Sequence, residues 1–203
     1  EISRVVPVIE ALAEALDVPV SIDTSKPEVM VAAVEAGAQM INDVCALSTP
    51  GALAAVAGLN VPVCIMHMQG EPRSMQVKPT YSDVVEDVYA FLSDRIDACV
   101  GAGIDSQKII LDPGFGFGKT LEHNLSLMDG LERFVATGHP VLIGVSRKSM
   151  IGTVLDRPVG QRLHGGLSLA AIAAYKGAHI LRTHDVGPTL DAIAMAAAVR
   201  QGR

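Results

Sequence analysis

Apolar residues follow two alternating rhythms along the chain. Val5, Val6, Ile9, Leu12, Ala13 and Leu16 keep the spacing of one helix face. Val18 to Thr24 then runs on apolar for the length of a strand and ends on polar Asp23, Thr24 and Ser25. Pro27 opens a helical run, Val29 to Ala36, and Gly37 closes it, the asymmetry expected of helix ends. Met40 to Val44 reads as the next strand and carries Asn42 and Asp43; Thr49-Pro50 is expected to cap a helix reaching Gly58. Val61 to Met66 is a third strand, ending at His67. An insertion from Gln69 to Tyr81, with two prolines and Arg73, precedes the longest helix, begun by Ser82-Asp83 and lined by Val84, Val85, Val88, Phe91, Leu92 and Ile96. Lys108 to Asp112, Val141 to Val145 and Ile180 to Thr183 are the remaining strands. Between and after them the pattern predicts helices over Asn124 to Phe134, Leu163 to Lys176 and about Pro188 to Arg200.

Strand and helix alternate six times with no hairpin signal, which implies a parallel sheet with helical crossovers. The strands are apolar throughout, as when both faces are covered, and their polar residues collect at the carboxyl ends. A doubly wound nucleotide fold would be announced by GxGxxG in its first turn, and that motif does not occur. Six units in 203 residues match the unit size of a (β/α)8 TIM barrel. The chain opens on Glu1, already inside a helical pattern, so we expect a single barrel domain over 1–203 comprising units three to eight, with two units preceding it.

Composition narrows the partners. Sixteen Lys plus Arg against 22 Asp plus Glu leave a net charge of −6, which argues against a general nucleic-acid binder but leaves room for a local anion site. Cys45, Cys64 and Cys99 lie far apart with no CxxC or CxxH, so neither a zinc site nor a disulfide framework is expected; Cys45 and Cys64 read as small core residues. No apolar run is long enough to span a bilayer and no signal peptide pattern is present, giving a cytoplasmic expectation.

Two motifs fail. Gly114 to Thr120 is glycine-rich but has proline where a P-loop needs its first glycine, and it is one residue short. Gly144-Val145-Ser146 continues into Arg147 and Lys148 and so is not a serine-hydrolase elbow. Singly, the polar strand ends have plain structural readings: Asp23 as a helix N-cap, Asn42 and Asp112 in turns, Lys148, Arg182 and His184 as loop residues. Together they are harder to dismiss, because the strand ends of a parallel barrel converge on one mouth. Two carboxylates, an amide and a cation can read a heteroaromatic ring with alternating donors and acceptors. Arg182 and His184, two apart, can hold an anion, while Met66, Phe115 and Phe117 can supply apolar walls.

The segments SIDTSKPEV (21–29), MINDV (40–44), HMQG (67–70), ILDPGFGFGKT (110–120), GVSRKS (144–149) and LRTHDV (181–186) resemble the dihydropteroate synthases, in the family's order and over nearly the whole chain. The resemblance implies a (β/α)8 barrel that displaces pyrophosphate from a pterin-CH2-diphosphate with the amine of p-aminobenzoate, a step of folate biosynthesis. It implies that Asp23, Asn42, Asp112 and Lys148 bind the pterin ring, with Met66 beside it, and that Arg182 and His184 bind the diphosphate. Phe117, Lys148 and Ser149 would border the aminobenzoate site, where sulfonamides compete. Asp23, Asp112 and Lys148 are the expected catalytic residues, the carboxylates favouring a cationic pterin methylene after the diphosphate leaves. Mg2+ is expected with the diphosphate; no metal ligand is assigned within 1–203, since the family's usual Asn and its Thr-Arg-Pro-Gly loop would precede Glu1. A homodimer is the expected assembly. A pterin-binding methyltransferase barrel and a Schiff-base aldolase using Lys148 remain as alternatives.

Overall fold

The computed structural model describes residues 1–70, 75 and 79–202. Its elements, in chain order, are α1 (Ile2–Ala15), β1 (Ser21–Asp23), α2 (Pro27–Glu35), β2 (Met40–Asp43), α3 (Ala52–Ala57), β3 (Val63–Met66), α4 (Val84–Gly101), β4 (Ile109–Asp112), α5 (Leu121–Asp129), α6 (Glu132–Val135), β5 (Leu142–Ile143), α7 (Ser149–Leu155), α8 (Leu163–Tyr175), β6 (Ile180–Leu181) and α9 (Val186–Gln201). They fall into two compact units, one of Glu1–His67 with Ala90–Asp112, the other of Met68–Tyr89 with Pro113–Arg203.

In the first unit β1, β2, β3 and β4 lie side by side in that order, every pair parallel. Ile22, Ile41, Val63 and Ile109 form one row across the strands, and all four are buried. β3 and β4 are buried at every residue, as expected of parallel strands that read as near-continuous apolar runs. In the second unit β5 and β6 pair in parallel, Leu142 opposite Ile180 and Ile143 opposite Leu181.

Several boundaries differ from expectation, each for a local reason. The helix expected over 124–134 is two helices, α5 and α6. Thr120 starts α5 early by accepting the His123 N–H while His123 Nδ1 accepts the Thr120 N–H. Gly130 ends α5, and a Cβ there would come within 2.8 Å of the Val85 side chain. Asp23 does not cap α2; the cap is Lys26, whose N–H donates to Thr24 Oγ1. Nor do Thr49-Pro50 cap α3, which begins after Gly51 in a left-handed conformation. Helix α7 was not expected at all: it starts straight after Lys148 with no side-chain cap and ends at left-handed Asp156. The strand expected over 141–145 keeps only Leu142 and Ile143 in the ladder, and that over 180–183 only Ile180 and Leu181. Cys64 is in the core as expected, whereas Cys45 is only half-buried. Most of the 69–81 insertion, including Arg73, lies outside the described residues.

Gly37 closes α2 with φ +110°, and a Cβ on it would sit 2.8 Å from Ala13 Cβ on α1. Gly37→Ala therefore combines a strained backbone with a steric clash. It is expected to destabilise the protein by more than about 1 kcal/mol, seen as a lower urea midpoint with an unchanged slope.

Candidate active site

The register of the first unit decides which strand-end groups share a face. Asp23 lies opposite Asn42, Asn42 opposite Cys64 and Cys64 opposite Ile110. Met66 and Asp112 are opposite each other two residues further along their strands. Side chains alternate along a strand, so Asp23, Asn42, Met66 and Asp112 all leave the same face of the sheet. Asp23 is exposed, while Asn42, Met66 and Asp112 are buried. Main-chain bonds continue past the strands and hold these ends together: the Thr24 N–H donates to Asn42 O at 3.1 Å and the His67 N–H to Asp112 O at 3.0 Å.

Asp43, adjacent to Asn42, leaves the opposite face and has a different task. It is fully buried and accepts the N–H groups of Cys45 and Leu47, both at 2.8 Å, and the Ser25 hydroxyl. Ala46 and Leu47 are both left-handed, at φ +51° and +55°, a conformation that costs non-glycine residues energy. The Asp43 carboxylate holds this turn in place. The alternation of the MINDV segment was legible, but not which of its two polar residues turned inward to the loop.

In the second unit the Gly114-Phe115-Gly116-Phe117-Gly118 loop is shaped by its three glycines, at φ +73°, +79° and +62°. The alternation sends Phe115 wholly into the core and leaves Phe117 half-buried, so of these two expected apolar walls Phe117 is the one with accessible surface. Lys119, only 3% exposed, donates from Nζ to the carbonyls of Gly114 at 2.9 Å and Phe117 at 3.0 Å. Buried Asn124 accepts the Gly116 N–H at 2.7 Å and donates to Thr120 O at 2.6 Å. The Tyr81 hydroxyl donates to Gly118 O at 2.8 Å, and a Cβ on Gly118 would meet Gln69 O at 2.4 Å. The Lys148 ammonium donates to Phe115 O and stands 4.6 Å from the centre of the Phe117 ring. This loop thus aims carbonyls at ammonium groups, the reverse of a phosphate-binding loop, which aims N–H groups at an anion.

Past β5 and β6 the chain supplies the rest of the predicted groups. The Arg182 N–H donates to Ile143 O at 2.9 Å, and a Cβ on Gly144 would lie 3.7 Å from the Arg182 Cβ. Arg182, His184 and Ser149 are exposed and Lys148 is half-buried. The two loops are tied twice, by His184 Nδ1 to Ser146 Oγ at 2.9 Å and by Arg147 to Asp185 at 2.8 Å. The Arg147 guanidinium holds the Asp185 carboxyl below its ordinary value.

The parallel α/β units and their polar carboxyl ends are those of a pterin-binding barrel enzyme, and the family described as "Pterin binding enzyme" matches residues 1–184. The chain is 52% identical over 191 residues to the dihydropteroate synthase of Haemophilus influenzae, covering 94% of this chain and 70% of that one. It is 50% identical over 193 residues to the Escherichia coli dihydropteroate synthase, covering 95% of this chain and 68% of that one. A Yersinia pestis dihydropteroate synthase solved as a sulfonamide drug complex superposes with a TM-score of 0.97 at 48% identity, over 100% of this chain and 74% of that one. The Xanthomonas albilineans enzyme in complex with 7,8-dihydropteroate gives 0.92 at 49% identity, over 98% of this chain and 74% of that one. The chain belongs to the dihydropteroate synthase family, transferases of folate biosynthesis with a (β/α)8-barrel fold. The methyltransferase and aldolase alternatives fall with that membership.

Sequence reasoning missed Tyr81, Lys119, Asn124 and Ser146, whose partners are distant in sequence or are backbone atoms. Burial, with Asp87 nearby, pushes the Tyr81 phenol up to about 12. Its raised value means the folded state holds this proton more tightly. The stabilisation it contributes is complete below the ordinary tyrosine range near pH 10 and is lost as pH rises toward 12. Phenolate absorbance is expected to show one of the three tyrosines titrating late, and Tyr81→Phe should remove that component.

Proposed function

We propose that Asp23, Asn42 and Asp112 bind the ring of a dihydropterin diphosphate beside Met66, and that Lys148, Arg182 and His184 also contact this substrate, Arg182 and His184 at the diphosphate. Phe117, Lys148 and Ser149 border the p-aminobenzoate that displaces pyrophosphate. The observation that carries this reading is the common sheet face of Asp23, Asn42, Met66 and Asp112. Carboxylates there accept from ring N–H and amino groups, and the amide can both donate and accept. The reaction breaks the bond from the pterin methylene to the diphosphate oxygen, the electron pair leaving with pyrophosphate. The aminobenzoate nitrogen bonds to the methylene and releases a proton. Positive charge on the methylene is favoured by Asp23 and Asp112, and negative charge on the departing diphosphate by Arg182 and His184.

Among the described residues no group of three His, Cys, Asp or Glu side chains could hold a metal. These residues do not form a Mg2+ shell of their own, although Mg2+ commonly binds through substrate phosphates. Burial pushes the Cys99 thiol up, which keeps it protonated and a poor nucleophile. Among the described residues no helix is long and apolar enough to cross a membrane.

Asp112→Asn should weaken binding of the pterin ring by about 1–3 kcal/mol, the range for losing a charged acceptor to a buried donor. Arg182→Ala should weaken the diphosphate substrate and pyrophosphate while sparing a pterin that lacks the diphosphate. Calorimetry with the three ligands checks both. Equal losses for the two pterins in the Arg182 variant would mark that residue as structural.

We also propose a homodimer. Ile172 and Tyr175 on α8 and Met195 and Val199 on α9 line one apolar groove and are each at least 43% exposed, an arrangement suited to pairing with a second copy. Sedimentation is expected to show a dimer that Met195→Glu with Val199→Glu converts to monomer. A wild-type monomer would reject this assembly.

A further inference from the structure

We propose that Ser146 is a positioning residue that fixes the imidazole of His184 so that Nε2–H is presented to the leaving diphosphate; this rests on the reading of His184 as a diphosphate ligand. Ser146 stands at the start of the loop after β5, half-buried, and His184 in the loop after β6, exposed. The hydroxyl makes two contacts with the same residue: Oγ accepts the His184 backbone N–H at 3.3 Å and lies 2.9 Å from Nδ1. With the backbone N–H donated to one lone pair of Oγ, the proposed pairing has the hydroxyl hydrogen donating to Nδ1. That leaves the ring proton on Nε2, on the side away from Ser146. If the ring becomes cationic, Nδ1–H donates to Oγ instead and Nε2–H is unchanged. The outward nitrogen is therefore a donor in either charge state, as an anion requires.

The neighbouring carboxylate does not compete for this role. Both oxygens of Asp185 are taken by Arg147, Oδ1 by Nη2 at 2.8 Å and Oδ2 by Nε at 3.2 Å. That ion pair, together with the Arg182 N–H to Ile143 O bond, keeps the two loops at the spacing the serine needs. Without the hydroxyl, an exposed imidazole can turn over and offer an unprotonated nitrogen to the anion.

The test compares Ser146→Ala, Ser146→Thr and His184→Ala with the wild-type protein by 15N NMR of the histidine ring and by calorimetry with inorganic pyrophosphate. In the wild type and in Ser146→Thr, Nδ1 is expected to resonate as a hydrogen-bonded acceptor and Nε2 as a protonated nitrogen. Ser146→Ala should lose the hydrogen-bonded Nδ1 signature and weaken pyrophosphate about three- to tenfold, the scale of one impaired hydrogen bond to a charged group. Ser146→Ala in a His184→Ala background should add no further loss. An unchanged ring spectrum in Ser146→Ala would overturn the positioning role. A His184→Ala protein that binds pyrophosphate like the wild type would instead overturn the underlying anion reading.

Discussion

An ammonium group that cannot reach water must be surrounded by oxygen, and Lys119 imposes that demand on the loop after β4. Meeting it turns the carbonyls of Gly114 and Phe117 inward toward Nζ. A chain that folds back on its own lysine over so few residues needs the three left-handed glycines. Once those are placed, the rest of the loop has little freedom. Phe115 enters the core, its carbonyl meets Lys148, the Gly116 N–H meets Asn124, and the Gly118 carbonyl meets Tyr81. The position of a candidate substrate-binding cation thus follows from the solvation of a second cation that need not touch substrate.

The loops after β5 and β6 are organised on another principle. Their ties are exposed, so the Arg147–Asp185 pair adds little to stability despite its short contacts. Its effect is geometric. Arg147 is left-handed at φ +60°, an unfavourable conformation for a residue with a Cβ, and its guanidinium and its carbonyl are both engaged, the latter by Arg162. The segment that delivers Lys148 and Ser149 is held from both sides.

How much of this could be read from the sequence depended on the range of the interaction. Strand periodicity and the polar carboxyl ends were visible in the order of residues alone, because alternation is local and parallel strands bury both faces. Asp23, Asn42 and Asp112 stand out as polar strand ends that way, and the roles proposed for them come from the motif resemblance. Register was not visible, and only register shows that Asn42 rather than Asp43 shares a face with Asp23 and Asp112. Helix α7 was hidden because it has no capping side chain, and the break at Gly130 because it depends on Val85, far away along the chain. The capping box at Thr120 used histidine where glutamate or glutamine is usual. Nothing local to Lys119 signals that its partners are the carbonyls of the glycine run before it.

The glycine loop also bears on how easily this protein could escape an inhibitor. A compound resting on Gly116 would touch main chain, whose chemistry is the same whatever the codon, and a side chain introduced there would strain the left-handed turn and crowd Lys148 Cδ at 3.2 Å. Genetic variation would have to act through Phe117 or through neighbouring segments. Contacts aimed at the glycine backbone would therefore be the most durable that a drug could make with this loop.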